Sequence, residues 1–157
     1  MSLQEISTSI KTPWLILGDF NSIANFDERQ GQPVRLHEIQ PFRDCLEWCG
    51  VHDLHYGGRF FTWSNKQVGN RRVMSKIDRV LGNDLWEESF PNASIVFHPE
   101  GLFDHSPMVV SFTTSPGGRS RFGSLITGHL KIILLSRTGR FGTHGLQAIL
   151  DIKSLIN

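Results

Sequence analysis

The stretch that most constrains the fold is Trp14-Leu15-Ile16-Leu17, four apolar residues in a row closed by Gly18. A run this short and unbroken reads as a strand buried on both faces; a half-buried strand would alternate, and a helix would need more length. Pro13 keeps any preceding helix from running into it. The far end of the strand therefore delivers Asp19 and Asn21 to an edge or cleft. A carboxylate and a carboxamide placed there can orient or deprotonate a water and hold a charged phosphate. The alternative is an Asx-turn, in which both side chains only satisfy nearby backbone.

Around this strand the periodicities predict a mixed-sheet α/β domain. Leu3, Ile6 and Ile10 fit the last turns of a helix over residues 2–11. Residues 22–36 are polar and broken by Gly and Pro, which predicts loop. Ile39, Phe42, Cys45, Leu46 and Cys49 share one face of a helix over 38–49, with Gly50 as its C-cap. Strands are predicted at 60–63, 73–81, 93–98 and 108–113, with a hairpin loop at 65–70. Asn83 caps a short helix over 84–89. Beyond 114 only one element is expected, a strand or helix around Leu130–Leu135.

The chain changes character near Thr113-Thr114. Residues 1–113 carry ten basic and fourteen acidic residues, a net of −4, and 14 of the 16 aromatics. Residues 114–157 carry six basic residues and the single acid Asp151, a net of +5. The whole-chain charge of +1 points to no polyanion partner. Two cysteines make no disulfide scaffold and fit a reducing compartment. The first ten residues lack a secretory pattern, so an intracellular location, nuclear or cytoplasmic, is expected. No apolar run approaches the roughly 20 residues of a membrane span.

Further residues carry candidate chemistry. Asp104-His105 precedes a strand and can pair a metal-binding carboxylate with a phosphate-contacting imidazole; a solvated turn is the alternative. Asp78 lies within an apolar strand and needs a partner if buried. That partner is either a histidine that it orients, or Arg79 or Arg43 in a salt bridge. Arg59, Lys66, Asn70, Arg71 and Arg72 surround Trp63 in a basic stretch, either a nucleic-acid contact or a solvated loop. Cys45, Cys49 and the nearby histidines match no common zinc spacing, so no zinc is expected. Ser106 beside His105 has no Gly-x-Ser-x-Gly elbow, so it makes no hydrolase triad.

Four segments in register carry a resemblance: Pro13-Trp14-Leu15-Ile16-Leu17-Gly18-Asp19-Phe20-Asn21, Phe61-Thr62-Trp63-Ser64-Asn65, Ser75-Lys76-Ile77-Asp78-Arg79-Val80-Leu81 and Asp104-His105-Ser106-Pro107. Together, over about residues 1–113, they resemble the endonuclease/exonuclease/phosphatase family. The resemblance is to the endonuclease domain of plant LINE-type (non-LTR) retrotransposon proteins. It implies a DNase I-like pair of packed mixed sheets flanked by helices, and Mg²⁺-dependent (or Mn²⁺-dependent) hydrolysis of a phosphodiester, with DNA as partner. By motif, Asp19 would orient or deprotonate the attacking water, and Asn21 would help hold phosphate and metal. His105 would contact the scissile phosphate, Asp78 would fix His105, and Asp104 would lie close to the metal. Trp63, Asn65, Arg71 and Arg72 would lie near the DNA.

The resemblance also implies departures. The family has an N-terminal half ahead of its Gly-Asp-x-Asn motif that supplies an Asn and the principal metal-ligand Glu. Only residues 1–13 precede Trp14 here. The expectation is thus the C-terminal half of a sandwich, a truncated phosphodiesterase that binds metal weakly and has little or no catalytic activity. The alternatives are a non-catalytic nucleic-acid-binding module, or an active endonuclease completed by a partner. Residues 114–157 do not resemble the family's continuation and are expected to be an unrelated, poorly ordered basic tail, as a frameshift would give.

Overall fold

A computed structural model describes residues 2–112 in full and the backbone of 131–135 and 147–149. Helix α1 (Leu3–Ser9) opens with a capping box: Ser2 Oγ accepts the Glu5 amide at 3.2 Å, and Glu5 Oε2 accepts the Ser2 amide at 2.7 Å. Strand β1 (Trp14–Asp19) follows. The polar stretch that composition assigns to loop contains a 3₁₀ turn (Phe26–Glu28) and strand β2 (Arg29–Gln30). Helix α2 (Leu36–Cys49) ends on Gly50, whose φ of 62° is the left-handed cap that glycine adopts without strain. Strands β3 (His52–Asp53), β4 (Gly57–Gly58) and β5 (Trp63–Ser64) are short.

The single strand expected over 73–81 is two strands, β6 (Met74–Ser75) and β7 (Asp78–Gly82). The amides between them leave the ladder: Lys76 N–H donates to the Glu28 carbonyl at 2.8 Å and Ile77 N–H to Thr62 Oγ1 at 3.1 Å. The chain thereby passes from one sheet to another. Helix α3 (Asp84–Ser89) is capped by Asn83 Oδ1, which accepts the Trp86 amide at 3.1 Å. Strands β8 (Ser94–Phe97) and β9 (Met108–Ser111) pair antiparallel. The expected tail falls mostly outside the described residues; the described part of it is the backbone of β10 (Lys131–Leu135) and β11 (Gln147–Ile149).

Among the described residues the result is a mixed α/β arrangement of three small sheets. The largest has the order β11-β10-β1-β7-β3, with β1 at its centre, parallel to β10 and antiparallel to β7. The others run β2-β6-β5 and β4-β8-β9. Alternation along β1 explains its unbroken apolar run. Trp14 and Ile16 face α1 and α2 in a cluster with Leu3, Ile6, Phe20, Phe42, Cys45 and Leu81. Leu15 and Leu17 face the opposite side, against Val80, Trp86, Phe90, Ile95 and Phe97. Both faces of β1 are thus covered, and its last residue, Asp19, continues the Leu15–Leu17 face to the sheet end.

Candidate functional site

Asp19 and Asp78 are direct cross-strand partners in the β1–β7 ladder. Facing residues in an antiparallel pair sit with Cβ atoms about 5 Å apart, and like charges there repel. The neighbour that offsets this repulsion is His105. Its Nδ1 lies 3.0 Å from Asp78 Oδ2 and 3.2 Å from Oδ1. An ionised carboxylate only accepts, so Nδ1 carries the proton and Nε2 is turned away from Asp78. The hydrogen bond that His105 donates to Asp78 raises the His105 pKa above its ordinary 6.5; the charges of Asp78, Asp19 and Asp104 add to it, and burial opposes them. One imidazole thus answers three carboxylates.

Backbone and hydroxyl bonds fix this geometry. Trp63 and His105 form an antiparallel bridge. The Ser106 amide donates to the Thr62 carbonyl at 2.7 Å, and the Ser64 amide to the Asp104 carbonyl at 2.9 Å. The buried Thr62 hydroxyl accepts the amides of both Ile77 and Asp78, at 3.1 and 2.9 Å. The segment around β5 therefore holds the loop carrying His105 on one side and the start of β7 carrying Asp78 on the other. In the sequence, Thr62 looked like one more strand former; nothing in its neighbours signals that its hydroxyl joins the two.

At the end of β1 the Asx-turn does form. Asp19 Oδ1 accepts the Asn21 amide at 2.8 Å and Oδ2 accepts Asn21 Nδ2 at 3.1 Å. Asn21 has φ of 49°, a left-handed conformation in which Asn is common. The turn fixes the orientation of the carboxylate. The structure thus gathers Asp19, Asn21, Asp78 and His105, with Asp104 exposed beside them.

The four expected nucleic-acid residues separate. Arg71 and Arg72 are exposed on the hairpin. Trp63 is half-buried and packs against Ile23, Ile39 and Ile77. Asn65 is committed to the hairpin itself: Oδ1 accepts the Val73 and Gln67 amides at 3.0 and 3.2 Å, and Nδ2 donates to the Arg71 carbonyl at 2.9 Å. Beside the hairpin a groove of about 450 Å³ is lined by Arg59, Phe60, Phe61, Arg72, Met74 and Glu100, among others.

The salt-bridge alternative for Asp78 goes elsewhere. Arg79, the next residue on β7, faces the opposite side of the sheet. It pairs there with Glu28 through Nη2 and with Asp53 through Nη1 at 2.5 Å. Arg43 donates to Asn25 Oδ1 at 3.4 Å. Cys45 and Cys49 are free, buried thiols in the α1–α2 core.

Among the described residues, no group of three or more His, Cys, Asp and Glu side chains is disposed to hold a metal ion. Asp19, Asn21 and Asp104 do not by themselves compose a Mg²⁺ cage, which takes near-octahedral oxygen ligation. No helix among the described residues is long and apolar enough to cross a membrane. No protein-family model matches the chain, and no curated protein matches it.

Proposed function

We propose that the chain is a DNA endonuclease-like phosphodiesterase module of retrotransposon origin, DNase I-like in fold, that binds a phosphodiester at His105 and retains little or no hydrolysis. The observation that carries this reading is the Asp19–Asp78–His105 cluster, in which a like-charged cross-strand pair is tolerated beside one oriented, partly exposed imidazole. A structural ion pair needs neither the surplus carboxylates nor the opening to solvent.

In this reading His105, whose protonated form is favoured by its hydrogen bond to Asp78, donates its Nε2–H in that form to a non-bridging phosphate oxygen. Asp78 keeps the ring from turning. Asp19, fixed by Asn21, is placed to orient a water or take its proton. Asn21 contributes a neutral amide to the phosphate. Mg²⁺, where bound, would supply charge stabilisation next to Asp19 and Asp104, with further oxygen ligands needed.

The hairpin favours a second reading, a module that binds nucleic acid without any chemistry. Residues 59–72 hold four basic residues and no acid. Plasmid nicking with Mg²⁺, run alongside DNA binding for the wild type and Asp19→Ala, separates the readings. We expect both proteins to bind DNA and both to nick at background. Nicking by the wild type that Asp19→Ala lacks would make the module an active enzyme. Absence of DNA binding by either would remove the phosphodiester reading.

A further inference from the structure

Leu102 and Phe103 are the most conspicuous apolar side chains left in water. Leu102 is 100% exposed and Phe103 72% exposed. Isolated exposed apolar residues are ordinary; two adjacent ones at a turn tip, two residues from a candidate phosphate ligand, are a different observation.

The turn is built to present them. The Phe103 amide closes onto the Glu100 carbonyl at 3.0 Å, and Gly101 takes a φ of 57° that side chains rarely adopt. Glu100 is drawn inward, its side chain only 16% exposed, by Arg59 at 3.2 Å and Lys66 at 3.8 Å. Lys66 Nζ also donates to the Gly101 carbonyl at 3.1 Å. The loop is thus pinned from the hairpin side, and its apolar pair is left pointing outward.

The surroundings specify the partner. The hairpin that pins the loop carries Arg59, Lys66, Arg71 and Arg72 and no acid. Apolar surface alone would suit a protein; an aromatic ring on a loop tied to a hairpin that keeps Arg71 and Arg72 exposed, beyond the Arg59 and Lys66 engaged by Glu100, suits a nucleic-acid strand, whose bases have π-faces and whose backbone is anionic. Reach agrees as well. From Phe103 to His105 is at most about 7 Å of chain, and bases stack about 3.4 Å apart along a strand.

We propose that the Leu102–Phe103 tip is a stacking platform for an unpaired nucleobase adjoining the phosphate held by His105, so that the module prefers single-stranded or locally opened DNA. The proposal rests on the phosphodiester reading above and adds the state of the strand that the site accepts. A base within an intact duplex keeps both faces stacked and offers the ring nothing, whereas an unpaired base offers a whole face.

The test is fluorescence anisotropy without Mg²⁺, using a labelled single-stranded DNA of about 12 nucleotides, within the usual site size for such surfaces. A second probe has the same phosphates on abasic sugars. The wild type should bind the abasic strand about tenfold more weakly, as loss of one stacked base implies. Phe103→Ser should weaken binding to the normal strand by the same factor and leave the abasic strand unaffected. Its salt dependence should be unchanged, since no phosphate contact is lost. Phe103→Trp should restore the preference.

Wild-type binding that is equal for both probes overturns the platform and leaves the phosphodiester reading standing. So does Phe103→Ser binding the normal strand as tightly as wild type, or losing affinity for both probes alike. Failure of the wild type to bind either probe at low salt overturns both.

Discussion

Asp78 and Arg79 are neighbours on β7, and they serve two regions of opposite character. On the α1–α2 side, Arg79 is fully buried and Glu28 nearly so. Arg79 pairs with Glu28 and Asp53, while Lys76 Nζ sits 2.7 Å from Asp53 and 3.6 Å from Glu28. Two cations meet two carboxylates, with only Asp53 reaching solvent. The Arg79 guanidinium also lies 5.2 Å over the Phe42 ring. On the other side, Asp78 faces Asp19 across the ladder, and the charges of three carboxylates act on one imidazole that is about a third exposed. The balanced, largely buried cluster is arranged to stay as it is. The unbalanced, open one is arranged to accept something from solvent, and that contrast separates a structural network from a site.

The largest effect that tests the contrast is loss of the sealed cation. Arg79→Ala leaves Glu28 buried with its main partner gone, at a cost of about 3–5 kcal/mol. Urea unfolding should show this as a large fall in midpoint. A change below about 1 kcal/mol would mean that the network does not hold the fold together.

The open cluster should respond the other way. His105→Ala should leave the unfolding midpoint within about 1 kcal/mol, because the residue is a third exposed and lies outside the core clusters. It should weaken DNA binding at pH 6 by about tenfold or more, the equivalent of one charge-assisted hydrogen bond. A variant that loses stability but keeps its affinity would reverse the assignment of the two regions.

Which parts of this contrast were legible in the sequence follows from where the signals are local. The apolar run at Trp14–Leu17, the α2 stripe with its Gly50 cap, and Asn83 as the cap of α3 are set by neighbours in the chain, and the structure places them where the pattern does. The break between β6 and β7 is invisible in the period-2 pattern, because it is made by Glu28 and Thr62, 48 and 14 residues before Lys76 and by way of other elements. β2 was missed for the same reason: its sequence is polar, and it exists through pairing with β6. For Asp78 the sequence leaves open a histidine or a salt bridge to Arg79 or Arg43, and only the direction of its side chain on β7 separates them. The resemblance places Asn65 near the DNA, yet its amide is spent on closing the hairpin; side-chain bonds to the backbone eight residues away leave no periodic trace.

The two clusters should also titrate at opposite ends of the pH range. Burial pushes the Glu28 carboxyl up, but Arg79, the Ala24 amide and Asn25 more than reverse this and hold it below its ordinary 4.5. A lowered acid contributes stability above its unfolded value and loses it as pH falls through the folded one. Unfolding midpoints should therefore fall below about pH 4.5, and Glu28→Gln, less stable throughout, should lose less on further acidification. His105 has the reverse sign. Its raised pKa contributes stability below 6.5 that is lost as pH climbs through the higher folded value. His105→Ala should remove that alkaline decline and leave the acid limb alone. A wild type whose midpoint is flat on both sides would show that neither cluster is coupled to folding.

The smallest and sharpest test is Asp78→Asn. The carboxamide oxygen can still accept the Nδ1 proton, so the ring orientation can be kept while the charge is removed. The substitution also relieves the repulsion from Asp19 across the ladder, which offsets part of the lost ion pair. Its effect on the unfolding midpoint should accordingly stay below about 1 kcal/mol, far less than for Arg79→Ala next door. The His105 titration, followed by proton NMR and assigned by comparison with His105→Ala, should move down toward 6.5, because its largest support is gone while burial still opposes the charge. An unmoved midpoint would mean that Asp19 and Asp104 alone sustain the imidazolium. Asp78 would then be a structural neighbour of His105, and the difference between the two faces of β7 would rest on exposure and not on charge.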